Sequence, residues 1–384
     1  MPKAINIIFS TSIFIYTPKN SLTLSAQADI LLDMTTILGL TCISEELKEK
    51  DKKKYSFRTM TRKRFNDLCN SEGRDEAIFQ LSERILHNVG VTQYIINHCH
   101  SSNIRHYRLS SALFPLLTDP TLEISMEELP HKARIEEELR LAGLIALTFK
   151  ISIGSHPDQF NVLASTNERS VNQTIKELNF QASILDKLGL PQDHSAPMNI
   201  HINATPPEIK SDSDPDSINN ARIKEVAERF YNNLMRCNEG VFNRLTIENE
   251  DKGFWNVDNI LKFSKYIFKK YRLNIPVCYD NLHDICNPSE VNNVRWQTER
   301  CAYTWAEECS PVFHWSEGRA DKPRAHADYF SYKFSPPTFF VREDQPIKWE
   351  CEVKHKDKAI RLLRDNLSQK TINSDHVMQY QNQH

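Results

Sequence analysis

Histidines and carboxylates stand at recurring points of this 384-residue sequence. His156 ends one β-rich apolar run, His201 lies in the second half of the next, and Glu248 falls near the end of the one after. Asp280 and His283 close a fourth run, His314 lies in a fifth with His326 shortly after it, and Glu352 ends a sixth. Imidazole and carboxylate together suit Mn²⁺ or Zn²⁺, and the oxygen ligands also admit Mg²⁺. Eight such groups exceed what one ion needs, which points to a cluster of two or three. Taken singly, each has a structural reading: a strand-end histidine is commonly just hydrogen-bonded, a lone strand glutamate lies at an edge, and Asp280 caps a helix. Recurrence on successive runs is what favours a shared metal site. His87, His98, His100, His131, His355, His376 and His384 read as structural or solvent-exposed, and His194 and His106 stay undecided.

The elements that must position these groups repeat one pattern. Eight candidate strands cover 35–43, 103–111, 148–156, 197–204, 244–250, 275–283, 310–317 and 346–353. Between them, apolar residues recur at helical spacing, as in Ile85, Val89, Thr92, Ile95 and Ile96, or Ile175, Leu178, Ala182 and Leu185. Ile260, Phe263 and Ile267 predict a helix capped by Asn256 or Asp258. Eight β-then-α units argue for a (β/α)₈ TIM barrel, preferred over a doubly wound open sheet. In a barrel the C-terminal strand ends converge on one face. The expected organisation is a single domain over 34–366, with polar insertions after the first and fourth strands, a dispensable extension over 1–33 and a frayed polar tail over 367–384.

Composition excludes several classes. Lys and Arg number 48 against 50 Asp and Glu, so the chain is not a uniformly basic binder, although KEKDKKK (48–54) and TRKR (61–64) form a local basic run. The nine glycines never form a G-x-G, which removes the dinucleotide fingerprint and the P-loop, and with them a nucleotide cofactor. Nine cysteines without a C-x-x-C pair read as reduced residues of a cytoplasmic protein. The apolar run from Ile5 to Tyr16 is too short to span a membrane.

A family comes into view along the chain. The Arg-Leu-Ser-Ser of YRLSS (107–111), HPDQF (156–160), IENED (247–251), YDNLH (279–283), HWS (314–316), HADY (326–329) and ECEVKHKDKAI (350–360) resemble the motifs of the UV damage endonucleases. The resemblance runs from about Ile37 to Asn366. It implies a (β/α)₈ barrel with a metal cluster, typically manganese. It also implies nicking of double-stranded DNA immediately 5′ of pyrimidine dimers and 6-4 photoproducts, leaving 3′-hydroxyl and 5′-phosphate ends.

By the same resemblance His156, His201, Glu248, Asp280, His283, His314, His326 and Glu352 are ligands; Glu248, a carboxylate in the middle of the ligand order, is the candidate to bridge two ions. Glu248, His201 and Lys354 are expected to act on the reacting phosphate, and Arg108, Ser110 and Ser111 to contact the DNA backbone. Gln159 and Phe160 match a Gln-Tyr pair wedged into the duplex at the lesion; Phe keeps the stacking face and loses the hydroxyl. Two departures stand out. Asp119 occupies the place of a histidine ligand, and Val312 that of a lysine two residues before His314. The expected protein is a monomer in the cytoplasm, at the nucleoid or in a nucleus. An abasic-site endonuclease of the endonuclease IV kind, a metal-dependent sugar isomerase and a pseudoenzyme that binds damaged DNA are the rival readings.

Overall fold

The structure is a computed structural model that describes residues 35–208, 214–332, 334–338, 342 and 345–381, with side chains through 368. The expectation for residues 1–33 lies outside the described residues. The strands are β1 (Thr36–Thr41), β2 (His106–Arg108), β3 (Ser152–Gly154), β4 (Met198–His201), β5 (Leu245–Glu248), β6 (Val277–Cys278), β7 (Val312–Trp315), β8 (Gly318–Arg319), β9 (Lys322–His326) and β10 (Ile347–Cys351). Two parallel sheets, β3-β2-β1-β10-β7 and β4-β5-β6, are joined by parallel bridges Ser155–Met198 and Asp280–His314. Those two bridges close the eight-stranded ring. The barrel expected from the repeat is the fold observed.

The helices form where the spacing puts them. Asn256, the first of the two expected caps, accepts from the Asn259 amide, and the helix Val257–Tyr271 buries Ile260, Phe263 and Ile267 against the barrel. It stops at Arg272, whose φ of 58° is left-handed. The helix Arg74–Ser101 buries Ile85, Val89, Thr92, Ile95 and Ile96, and Glu168–Lys187 buries Leu178, Ala182 and Leu185. Outside the ring, Trp349 packs edge-on to Phe313 and Trp315 at centroid separations of 5.5 and 5.3 Å. Burying one such ring contributes about 1.5–3 kcal/mol.

The strands are shorter than their apolar runs suggest, as in β3, which covers 152–154 of the run 148–156 and begins after a helix that ends at Thr148. The C-terminal end also differs. A helix runs from Lys356 to Gln381 where a frayed tail was expected, since no glycine or proline interrupts that stretch.

Two glycines are spatial requirements. A Cβ on Gly39 of β1 would lie 2.9 Å from the His106 ring that fills the lumen. One on Gly318 would lie 2.2 Å from the Pro323 carbonyl, so only glycine permits the β8–β9 hairpin. That antiparallel hairpin, absent from the sequence reading, pairs Gly318 with His326.

Candidate metal centre

Glu248, the last residue of β5, is fully buried at the centre of the C-terminal mouth. Its Oε2 lies 3.0 Å from His156 Nε2 and 3.9 Å from His201 Nε2. Its Oε1 lies 3.1 Å from Nδ1 of both His283 and His314. Ring centroids separate His156 from His201 and from His314 by 5.4 Å, and His201 from His283 by 5.6 Å. Glu352, directly after β10, stands 4.0 Å from His314 Nδ1 and 3.8 Å from His326 Nε2. Sequence-distant residues thus meet because most of them lie at or just beyond the C-terminal end of a barrel strand.

Local chain geometry fixes the ring orientations. His156 Nδ1 lies 2.9 Å from the Pro157 carbonyl and His283 Nδ1 2.8 Å from that of Asn249. A carbonyl only accepts, so Nδ1–H donates and Nε2 is left as a ligand atom in each ring. Asp280 caps the helix Asn281–Cys286 through Oδ1, which accepts from the His283 amide at 2.8 Å. Its Oδ2 is buried without a hydrogen-bond donor among the described residues, with His314 Nδ1 at 3.6 Å and His283 Nδ1 at 3.9 Å near enough only for through-space attraction.

The charges are strongly coupled. Burial alone would raise Glu248, but His314, His201 and His156 hold it well below the usual carboxylate range. Burial pushes His201 down to about 4 despite Glu248. Burial also opposes a charge on His283, yet Asp280 and Glu248 overrule it and lift that ring to about 10. Protons are here standing in for cationic charge between carboxylates.

The donor set fits divalent ions. Ligand atoms of His156, His201 and Glu248 lie within 4.8 Å of one another, as do those of Glu248, Asp280 and His283, and those of Asp280, His314 and Glu352. The three sets overlap through Glu248 and Asp280, and Asp280 Oδ2 is an anionic oxygen with no hydrogen-bond donor among the described residues. Mixed imidazole and carboxylate ligands are those that Mn²⁺ and Zn²⁺ accept.

Seven of the expected residues, His156, His201, Glu248, Asp280, His283, His314 and Glu352, therefore share one site, with His326 at its edge. Others do not join it. Asp119 binds Arg62 at 2.7 Å and the Thr121 hydroxyl at 2.7 Å, so its charge is already matched on the loop after β2. Lys354 is half exposed and pairs with Asp328 at 2.7 Å on the rim. Arg108 is turned inward, 2.9 Å from Glu350 and also against Glu352. Ser110 and Ser111 line a surface cavity with Asp158 and Phe160. Phe160 is 80% exposed, on the loop just beyond His156, and the Gln159 carbonyl is held by Asn203. Val312 is buried in β7.

The sequence reading missed a supporting layer. Glu350 lies 2.8 Å from His106 Nε2 and 3.2 Å from His314 Nε2, while Asn199 donates to Glu248. Strand alternation was the available signal: Glu350 precedes Glu352, Asn199 precedes His201, and His106 precedes Arg108, each by two residues on a lumen-facing strand.

Fold and site together define a (β/α)₈ barrel with a histidine–carboxylate cluster at its C-terminal mouth. Residues 36–381 match the family described as UV-endonuclease UvdE. The chain belongs to that family. A "UV DNA damage endonuclease" from Nostoc sp. is 28% identical over 333 residues, covering 85% of this chain and 89% of that protein. One of the same description from Bacillus cereus is 25% identical over 315 residues, covering 81% and 89%. The crystal structure of SacUVDE superposes with a TM-score of 0.66 at 22% identity, over 87% of this chain and 98% of that one, a likeness of fold. Among the described residues no helix is long and apolar enough to cross a membrane.

Proposed function

We propose that this chain is a DNA repair endonuclease that hydrolyses the phosphodiester immediately 5′ of UV lesions in double-stranded DNA. The observation that carries the reading is Glu248 ringed by four imidazoles, beside the unsatisfied Asp280 oxygen, in a member of the UvdE family. His156, His201, Glu248, Asp280, His283, His314, His326 and Glu352 would hold a cluster of divalent ions, with Mn²⁺ the first choice and Zn²⁺ or Mg²⁺ as alternatives. When bound, such ions neutralise the phosphodiester, acidify a water and stabilise the leaving oxygen.

The protein's own groups have separate tasks. Glu248 turns its two carboxylate oxygens toward different imidazoles and would offer both to the ions. Arg108 and His106 fix Glu350, which in turn holds His314 from behind. Phe160 exposes an apolar ring to water beside the mouth, an arrangement suited to stacking on an unstacked base, and a damaged pair is the cheapest to open. Exposed Lys52, Lys53, Lys54, Arg62, Lys63 and Arg64 supply a basic rim for phosphates, which makes binding salt-dependent.

The deciding experiment incubates the purified chain with Mn²⁺ and a duplex carrying one pyrimidine dimer. Cleavage at the phosphodiester just 5′ of the dimer, abolished by chelator, is expected. Cleavage of an abasic duplex alone, or of neither, would overturn the reading.

A further inference from the structure

A second feature lies on the N-terminal half of β10. Glu350 and Glu352 face the lumen, so strand alternation turns Lys348 inward as well. Lys348 is only 8% exposed, yet its amine has no hydrogen-bond or ion-pair partner among the described residues. It lines a cavity of about 530 Å³ whose walls are mainly apolar, including Leu144, Leu147, Ile151, Leu188 and Leu190. The other charged residues on the lining are Arg140 and Lys150, and no carboxylate lines it among the described residues. Arg140 is engaged by Glu137, which leaves Lys348 as the inner cation. Leu144 and Leu147 are 49% and 76% exposed, so the outer wall is greasy and open to water.

We propose that this cavity binds a small amphiphilic carboxylate, its apolar chain against the leucine wall and its carboxylate on Lys348. An apolar pocket with a few convergent polar groups is the usual form of a small-molecule site. A cation held among apolar walls without a direct ion pair is costly, and an incoming carboxylate offsets that cost. Burial already pulls Lys348 down to about 8, with Cys309 and Asp193 opposing through space.

The inference is independent of the proposed nicking, because none of these residues contributes to the metal centre. The test is calorimetric titration of the full chain with decanoate and, separately, with uncharged decanol. Decanoate is expected to bind one per chain and at least about tenfold more tightly than decanol, the worth of one charge-assisted contact. Lys348→Met should weaken decanoate by about tenfold and leave decanol unchanged. Leu147→Glu, at a position too exposed to affect folding, should weaken decanoate by charge repulsion and decides the matter if Lys348→Met does not fold. Equal affinity for decanoate and decanol, or decanoate binding indifferent to Leu147→Glu, overturns the proposal.

Discussion

Two clusters of histidine and carboxylate lie within a few residues of the end of β10, and they have opposite character. Glu352 belongs to the mouth cluster around Glu248. Asp357, in the first turn of the last helix, belongs to another: it accepts from the Glu45 amide at 2.9 Å, from the Ser44 hydroxyl and from His98 Nε2 at 2.9 Å, with Glu46 3.8 Å from the same ring. By residue type, Glu46, His98 and Asp357 could hold an ion as plausibly as the mouth does. By bonding they differ. Asp357 has donors on both oxygens, whereas Asp280 keeps one buried oxygen without a hydrogen-bond donor among the described residues and four imidazoles crowd a single Glu248. A metal centre is marked by ligand atoms that the protein leaves unsatisfied, while a structural cluster closes on itself.

The largest effect should follow from removing the centre of the mouth. Glu248→Gln keeps the shape and removes the charge that gathers the imidazoles, so nicking and bound Mn²⁺ should both be lost while circular dichroism is retained. More than a small residual rate at saturating Mn²⁺ would remove Glu248 from its bridging role. The mouth should also respond to pH in a particular direction. His283, raised to about 10, is protonated at neutral pH in the metal-free chain and must shed that proton to ligate. Mn²⁺ affinity is therefore expected to rise with pH, with proton release on loading that a pH-stat can measure; His201, already neutral, contributes none.

Removing Asp357 should do the converse. Asp357→Asn is expected to cost about 2–3 kcal/mol of stability, the worth of hydrogen bonds to a charged group, with Mn²⁺ content unchanged. Burial opposes the ionised form of Asp357, but His98 and Ser44 outweigh it and hold the carboxyl below its ordinary value of 3.8. A depressed pKa means stability fully present above the unfolded value and lost as pH falls through the folded one. Melting temperatures recorded downward from pH 5 should therefore fall more steeply for the native chain than for Asp357→Asn. Parallel curves would detach Asp357 from acid stability.

The loop that exposes Phe160, if it stacks on DNA as proposed, gives a similar magnitude in binding. Phe160→Ala should weaken damaged duplex by about 1–3 kcal/mol, and Phe160→Tyr should be nearly neutral. Equal losses on undamaged duplex, or altered metal content, would contradict a stacking role.

The sequence made the ring of strands and seven ligand candidates legible for one reason: each lies at the end of an apolar run, and a barrel brings such ends together. What it hid depended on pairing. Nothing in the type of Asp119 says that Arg62, 57 residues away, neutralises it. Nothing in the type of Asp357 distinguishes it from Glu352. The supporting Glu350, Asn199 and His106 were within reach of strand alternation, but only once the lumen-facing register was known. The β8–β9 hairpin hid because its strands hold two and five residues, too few for a period to register.

The smallest expected effect concerns Lys354, which stands between the two clusters. The expectation from sequence gives it a role on the reacting phosphate, but its amine sits on Asp328 at 2.7 Å, half in water, outside the imidazole ring. An exposed pair of this kind contributes roughly 0–1 kcal/mol to folding. If Lys354 only holds a phosphate on the rim, Lys354→Met should leave the single-turnover rate and metal content unchanged. It should lower duplex affinity a few-fold at low salt and reduce the dependence of log K on log salt by about one unit, the signature of one lost phosphate contact. Damaged and intact duplexes should lose equally, since a backbone contact carries no lesion information. A fall in the single-turnover rate at saturating DNA and Mn²⁺ would instead place the amine on the reacting phosphate. It would also mean that the Asp328 pair opens when substrate arrives, moving Lys354 from the rim into the chemistry of the mouth.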